Sequence, residues 1–304
     1  MKQRTIGDTP VGAIGLGLMP LSQAGRPPGR DAIRTIHAAL DVGVTLLDTA
    51  DAYALGRGDV GHGERLIARV LRDRDEDRER VLVATKGGHV RTADGGWSLD
   101  GSPAHLRPAC EASLRALAVD AIDLYQLHRP DPHVPWAESI GALRDLHDVG
   151  KVRHVGISNA SIAQIDEARA IVPIATVQNE FSPDFRSSEP ELEHCHRHGI
   201  AFLPWSPFGG GQRARDLDDR HPNFARVARR HNVSTHQVVL RWMLGCSDIV
   251  VPIPGARRPA TIRDSAAAAD LQLSAEDLAE LPRARRARAQ DNRDRDAPDR
   301  PGSR

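Results

Sequence analysis

The chain has 304 residues, with 41 basic and 41 acidic side chains and a formal net charge of zero. This length can bury a sizeable core, and the balanced charge excludes a general electrostatic attraction to nucleic acid or anionic membranes. Three scattered cysteines without a CxxC pair argue against a disulfide framework and a structural zinc site. Because the sequence shows neither a signal peptide nor a membrane-spanning apolar run, we expect a cytoplasmic protein without nucleic-acid or membrane partners.

Short apolar runs alternate with longer amphipathic segments along most of the chain, which is typical of repeated βα units. A small hairpin is predicted at the start, over TIGDTPVG. The eight predicted strands that follow are, in chain order, AIGLGL, VTLLD, RVLVAT, AIDLYQLH, VRHVGIS, IATVQN, IAFLPW and DIVVPIP. Helices are expected between them, with two helices around 223–232 and 234–245 before the last strand.

Two of the predicted helices have clear end signals. The first, DAIRTIHAALDVG, is expected to be capped by Asp31 or a neighbour and to end at Gly43. The third is expected to have Ser102 as its N-cap and Pro103 at its first position. Eight strands with intervening helices in roughly 280 residues predict one (β/α)8 TIM-barrel domain over residues 1–282.

A Rossmann fold is the rival architecture, because GAIGLGLMP contains closely spaced glycines. Pro20 stands at the third glycine position, however, and no suitably placed acidic residue follows, so the barrel is favoured. Two charged segments are expected to carry no core: residues 71–81 as a solvated connection, and residues 283–304 as a disordered tail. The tail contains eight arginines, four aspartates and no Val, Ile, Leu, Phe or Met.

Four polar side chains follow the predicted strands at their carboxyl ends, where a barrel of this class has its active site. Asp48 and Tyr53 follow the second strand, Lys86 the third and His128 the fourth. A phenol has an ordinary pKa near 10, and an ammonium about 4 Å away contributes about 4 kcal/mol toward its ionisation at an effective dielectric near 20. We therefore predict that Lys86 acidifies Tyr53, that Asp48 partners Lys86, and that His128 hydrogen-bonds a substrate carbonyl.

The chain resembles the aldo-keto reductase family over about residues 4–281. The motifs that carry the resemblance are LLDTADAY, VLVATKGG, DLYQLHRPD, GKVRHVGISN, VQNEFSP, FLPWSPFGGG and VPIPGARRPATIRDS. The resemblance implies an NADPH-dependent reductase of aldehydes or ketones on a (β/α)8 barrel. It also implies that Tyr53 is the general acid, that Lys86 lowers its pKa, that Asp48 supports Lys86, and that His128 orients the carbonyl.

A site for NADPH or NADP+ is implied by the same resemblance. It comprises polar groups for the carboxamide, an aromatic ring for the nicotinamide, a pyrophosphate loop and an adenosine-phosphate segment. These are, in that order, Ser158, Asn159 and Gln178; Trp205; Ser206, Phe208, Gly209 and Gly211; and Gly255, Arg257, Arg258, Thr261, Asp264 and Ser265. Arg257 or Arg258 is expected to pair with a 2′-phosphate, which favours NADPH over NADH, although both suit an ordinary surface pair in an arginine-rich chain.

Several of these positions depart from the commonest family pattern. Trp205 stands where many relatives carry tyrosine. Thr261 replaces Arg or Gln, Asp264 replaces Glu, and Ser265 replaces Asn. These changes bear on cofactor affinity and on the preference for NADPH. For the small-molecule carbonyl substrate, the pocket candidates are Met19 and Trp97, because loop residues set specificity. We expect a monomer, with an oligomer left open.

The motif HCHRHG raises the question of a metal site, because His194 and His198 share one helix face. Histidines in a last helical turn before Gly199 are adequately explained by exposure and the helix dipole, so we expect no metal. Two other classes of protein remain as alternatives to a reductase. They are a non-catalytic NADP(H)-binding regulatory subunit of the same fold and a metal-dependent barrel hydrolase.

Overall fold

The structure, a computed structural model, describes residues 1–282; the tail predicted over 283–304 lies outside the described residues. Seven parallel strands form the central sheet. They are β3 (Leu16–Gly17), β4 (Leu46–Asp48), β5 (Leu82–Gly87), β8 (Ile122–Leu127), β9 (Val152–Ser158), β10 (Ile174–Gln178) and β11 (Ala201–Phe202). Their order in the sheet is β11-β10-β9-β8-β5-β4-β3, so neighbouring strands follow one another in chain order, as in a βα barrel.

The predicted opening hairpin is confirmed, with β1 (Gln3–Ile6) paired antiparallel to β2 (Thr9–Gly12). Ile6 and Val11 are fully buried and belong to the same inner cluster as Leu46, the first residue of β4. The hairpin therefore covers the end of the barrel at which the strands begin. A second hairpin, of β6 (His89–Arg91) and β7 (Trp97–Leu99), follows β5 at the opposite end.

The predicted eighth strand, DIVVPIP, closes the barrel without forming a regular strand. The N–H of Val251 donates to the carbonyl of Phe202 on β11 (2.9 Å), and the N–H of Gly17 on β3 donates to the carbonyl of Pro254 (3.1 Å). Pro252 and Pro254 have no N–H, so a continuous hydrogen-bond ladder cannot form along this segment. The prediction of a strand is wrong in this detail, whereas the barrel architecture is confirmed.

Helices surround the sheet and bury their apolar faces against it. They are α1 (Met19–Ser22), α2 (Gly29–Asp41), α3 (His62–Asp73), α4 (Pro103–Leu117), α5 (Trp136–Asp148), α6 (Ile162–Ile171), α7 (Glu189–His198), α8 (Leu217–Arg220), α9 (Pro222–His231), α10 (Thr235–Leu244), α11 (Pro259–Ala267) and α12 (Ala275–Glu280). Ser102 caps α4 by accepting a hydrogen bond from the N–H of His105 (3.2 Å), as predicted. Within residues 1–282, none of the helices combines the length and apolarity needed to cross a bilayer.

Two predictions from charged residues need correction. Asp31 does not cap α2, because the helix begins earlier, after Pro28, and leaves Asp31 within the first turn. The stretch 71–81 is not wholly solvated, because Asp77 is 1% exposed. Its carboxylate contacts Arg74 (2.6 Å) and Arg80 (3.2 Å), and these two guanidinium groups compensate the charge that burial would otherwise penalise.

Candidate active site

Lys86 is held by three acceptors at the carboxyl ends of β4 and β5. Its Nζ donates to Asp48 Oδ2 (2.7 Å), to Asp48 Oδ1 (2.9 Å) and to the carbonyl of Thr49 (2.8 Å). Lys86 is 0% exposed and Asp48 is 2% exposed. Burial lowers the pKa of Lys86, but attraction to Asp48 and Tyr53 outweighs burial and raises that pKa above its usual value. The amine is therefore a fixed cation at neutral pH.

Tyr53 lies beside this cation. The Nζ of Lys86 is 5.3 Å from the centre of the phenol ring. Burial raises the pKa of Tyr53, and the positive charge of Lys86 opposes that effect without overcoming it, so the net pKa is raised. The influence of Lys86 has the predicted direction, but the sequence does not reveal how strongly the surrounding barrel desolvates the phenol. The phenol consequently keeps its proton at neutral pH.

His128 completes the set of four. Its ring meets that of Tyr53 edge-on at 5.5 Å between centres, and its Nδ1 has no hydrogen-bond partner among the described residues. Burial, followed by the charge of Lys86, depresses the pKa of His128 well below its usual value. The imidazole is therefore neutral at physiological pH and has one N–H available for donation.

A ring of amides and hydroxyls lies next to these four residues. Gln178 Nε2 donates to Asp48 Oδ1 (2.8 Å), and Ser158 Oγ donates to the carbonyl of Gln178 (2.7 Å). Asn159 Nδ2 donates to the carbonyl of His128 (3.0 Å) and to Ser158 Oγ (2.9 Å). The structure thus brings together the three residues predicted to bind the nicotinamide carboxamide. Hydrogen bonds connect them to Asp48 and His128, two of the predicted catalytic residues.

The loop after β11 adopts the tight turn that its glycines permit. Ser206 and Gly209 both have positive φ, at 50° and 80°, and the N–H of Gly209 donates to the carbonyl of Ser206 (2.8 Å). Trp205 Nε1 has no partner among the described residues. Phe208 is buried and packs edge-on against His236 on α10, so its side chain anchors the loop to that helix.

The predicted adenosine-phosphate segment divides into exposed and engaged residues. Arg257 and Arg258 are exposed, and neither forms an ion pair within residues 1–282. Asp264 instead accepts hydrogen bonds from Ser234, the N-cap of α10, and from Gln237 on α10, at 2.6 Å each. These two bonds support a packing role for this carboxylate.

The remaining predicted cofactor and substrate positions differ in their burial and in the space around them. Ser265 is buried and Thr261 is half-buried, both on α11. A Cβ on Gly255 would lie 2.6 Å from Pro20 Cγ, so glycine is needed there for packing, whereas one on Gly211 would meet open space. Met19 is 45% exposed, and its place in a substrate pocket stays a prediction.

Trp97 belongs to a chain of rings that leads to His128. It is 40% exposed and stacks on His89 at 4.3 Å, and His89 meets His128 edge-on at 4.8 Å. Burial, followed by the charges of Arg129 and Arg91, lowers the pKa of His89 to about 4. The sequence analysis missed His89, although its position just after VATKGG was a signal for a residue near the strand end.

Arg91 was also missed, and it joins the β6–β7 hairpin to the loop that carries Tyr53. Its Nε and Nη2 donate to the carbonyl of Ala54 at 3.0 and 2.6 Å, and its Nη1 donates to the carbonyl of Gly95 (2.9 Å). Arg57 Nε donates a hydrogen bond to the carbonyl of Arg91 (3.1 Å). No sequence pattern identifies these four bonds, because their three acceptors are backbone carbonyls.

Two further acidic residues near the site, Asp51 and Glu64, are buried. Burial raises the pKa of Asp51 well above its usual value and also raises the pKa of Glu64. Thr85 Oγ1 donates to Glu64 Oε1 (2.7 Å). Tyr125 is fully buried near them, and its hydroxyl has no partner among the described residues. Of the two tyrosines in the chain, only Tyr53 lies beside Lys86.

The family model described as "Aldo/keto reductase family" matches residues 13–286. An "Uncharacterized oxidoreductase" of Schizosaccharomyces pombe is 34% identical, with 91% of this chain and 87% of that protein covered. "Probable aldo-keto reductase 1" of Glycine max is 33% identical, with 89% and 84% covered.

Solved structures are similar over nearly the whole length. A glycerol dehydrogenase from Gluconobacter oxydans has a TM-score of 0.77 at 29% identity, with 90% of this chain and 92% of that chain covered. An aldo-keto reductase from Klebsiella pneumoniae, solved in complex with NADPH, has a TM-score of 0.76 at 28% identity, with 92% and 94% covered.

Proposed function

The chain belongs to the aldo/keto reductase family, and from this premise we propose that it uses NADPH to reduce an aldehyde or ketone to an alcohol, with Tyr53 as the general acid. The observation that carries the proposal is the buried Lys86, whose amine is bonded to Asp48 and lies beside the phenol. A buried cation at this position stabilises the phenolate that remains when Tyr53 gives up its proton.

The residues at the rim suit NADPH as the hydride donor. Ser158 and Asn159 offer donors and acceptors for an amide, and Trp205 offers an aromatic face. Arg257 and Arg258, exposed and without ion pairs within residues 1–282, are available to a phosphate. The Klebsiella pneumoniae relative solved with NADPH supports the same assignment.

The reaction needs a hydride at the carbonyl carbon and a proton at the carbonyl oxygen. NADPH, when bound, supplies the hydride. Tyr53 holds the proton at neutral pH and donates it to the oxygen as negative charge develops there. His128, kept neutral by burial and by Lys86, orients that oxygen by donating a hydrogen bond. Asp48 keeps Lys86 in place as the proton leaves Tyr53.

The test is the Tyr53→Phe variant, assayed by NADPH oxidation with a panel of aldehydes and ketones. We expect kcat to fall by about 10²- to 10⁴-fold, because general acid catalysis is lost. NADPH binding, measured by fluorescence, is expected to stay within about twofold, because the phenyl ring remains.

Tyr125→Phe is the matched control. It removes the other tyrosine hydroxyl of the chain, which is buried and without a partner within residues 1–282, so we expect no loss of activity and no loss of stability. Near wild-type turnover in Tyr53→Phe would refute the assignment of the general acid. NADPH binding without turnover of any carbonyl by the wild-type protein would favour the regulatory alternative.

A further inference from the structure

Two histidines and a carboxylate converge on the outer surface, between α6 and α7. His194 and His198 are one helical turn apart on α7, with ring centres 4.6 Å from each other. Asp166 on α6 reaches across, and its Oδ1 lies 2.8 Å from His194 Nε2. One ligand atom from each of the three side chains lies within 4.8 Å of the others. We propose that these residues form a binding site for a divalent transition-metal ion such as Zn²⁺.

The ligand set matches the chemistry of such ions. Imidazole nitrogens and carboxylate oxygens bind Zn²⁺, Co²⁺ and Ni²⁺ well, whereas Mg²⁺ and Ca²⁺ prefer oxygen ligands alone. At metal–ligand distances of about 2.1 Å, tetrahedral ligand atoms lie about 3.4 Å apart. The three side chains therefore need only a modest rotation to reach one ion, and water can take the fourth position.

The sequence analysis expected no metal because exposure and the helix dipole explain histidines in a last helical turn, but His194 is only 5% exposed. Asp166 is 28 residues away from His194 along the chain, and only the packing of α6 against α7 brings it to the same point. His194 is mostly buried, whereas the side chain of Asp166 is half exposed, so one ligand is anchored and the site stays open to solvent. The neighbouring Cys195 is buried in the hydrophobic core and is not a ligand.

Two arginines compete with an ion at this site. Arg169 pairs with Asp166 Oδ1 (3.1 Å), and Arg197 Nη2 lies 3.3 Å from His194 Nδ1. Their positive charge repels a divalent cation, and both contacts must loosen when the metal binds. We therefore expect micromolar rather than nanomolar affinity for Zn²⁺, and an increase of roughly threefold to tenfold in Arg197→Gln.

The test is calorimetric titration of the full-length, chelator-treated protein with Zn²⁺, supported by the visible spectrum of Co²⁺ as a report of coordination geometry. We expect one equivalent to bind. Asp166→Asn and His198→Ala replace the two exposed ligands, so both variants should fold, and each is expected to weaken binding at least tenfold. Circular dichroism of the metal-free variants checks their folding.

His196→Ala is the matched control. This histidine lies between the two ligands in the sequence, but its Nδ1 is 2.8 Å from Ser247 Oγ on another side of α7. We expect its variant to bind Zn²⁺ as the wild type does. Zn²⁺ at 100 times the wild-type Kd is expected to raise Tm by roughly 5 °C in the wild type and the control, and by about half as much or less in Asp166→Asn and His198→Ala. Equal binding by the wild type and by Asp166→Asn and His198→Ala, or loss of binding in His196→Ala, would overturn the proposal.

Discussion

At the scale of single residues, burial sets the charge of most groups around the rim. Lys86 stays charged because three acceptors surround it, whereas His128 and His89 lose their charge because they are buried near cations. Tyr53 keeps its proton because burial raises its pKa by more than the nearby charge of Lys86 lowers it. The result is a buried cation beside two neutral groups, Tyr53 and His128, which is the arrangement that the proposed proton donation needs.

Glu64 gives a pH-dependent prediction at this scale. Its pKa is raised in the folded protein, chiefly by burial, so the unfolded chain releases its proton at a lower pH than the native protein does. This contribution to stability is complete below the ordinary glutamate pKa and is lost as pH rises through the raised value. Glu64→Gln keeps an acceptor for Thr85 and has no charge to bury.

We therefore expect Glu64→Gln to gain stability relative to the wild type as pH rises from 5 to 8. Urea unfolding of both proteins at each pH measures the difference. Asp31→Asn, at a half-exposed carboxylate in the first turn of α2, should show no such gain. An unchanged difference between pH 5 and pH 8 would show that Glu64 is not the titrating group.

At the scale of elements, the β6–β7 hairpin positions the loop that bears Tyr53. Arg91 makes two bonds to the carbonyl of Ala54, the residue directly after Tyr53, and stacks on Trp97 at 4.1 Å. Arg57 fastens the same loop to the hairpin by its bond to Arg91. We infer that Arg91 is a positioning residue that acts through the backbone of this loop.

Arg91→Ala should lower kcat by roughly 10- to 100-fold, because a small displacement of the proton donor is costly. It should also lower stability by about 2 kcal/mol, since charge-assisted bonds are lost. Partial recovery of kcat by added guanidinium at low concentration would distinguish positioning from general destabilisation. Arg57→Gln, which removes only the bond to the carbonyl of Arg91, is the milder comparison. Unaltered kcat in Arg91→Ala, together with an inactive Tyr53→Phe, would contradict the positioning role of Arg91 and leave the assignment of Tyr53 intact.

The sequence predicts those site features that depend on strand ends. Asp48, Lys86 and His128 each stand at the end of a predicted strand, so their common edge can be deduced before the fold is known. Arg91 could not be deduced, because its partners are carbonyls with no side-chain signature. Asp166 could not be deduced either, because helix packing and not local pattern brings it to His194.

At the scale of the whole molecule, the barrel is closed in two places: between the outer strands β11 and β3, and at the end where the strands begin. The segment that contains Pro252 and Pro254 joins the two outer strands through a few backbone bonds. The opening hairpin covers the strand starts with Ile6 and Val11. Periodicity predicts the seven strands of the sheet and the helices between them, but the interrupted ladder depends on individual prolines that a hydrophobic pattern does not distinguish.

Ile6→Ala tests the role of the opening hairpin. The side chain is fully buried, so its truncation should cost about 2 to 5 kcal/mol of unfolding free energy through lost burial and a cavity. The neighbouring Thr5→Ala, at an exposed position of the same strand, should change stability by less than about 0.5 kcal/mol. Chemical denaturation measures both. A cost below about 1 kcal/mol for Ile6→Ala would show that the hairpin is dispensable to the barrel.

The scarcity of lysine has a practical consequence. Lys2 and Lys151 are accessible, whereas Lys86 is enclosed and bonded, so a reagent that acylates amines meets two lysines and the amino terminus on the native chain. An intact mass that shows a fourth acyl group would therefore report opening of the proposed catalytic centre around Lys86. The reactivity of Lys86 thus reports whether the buried site around Asp48 and Tyr53 is assembled.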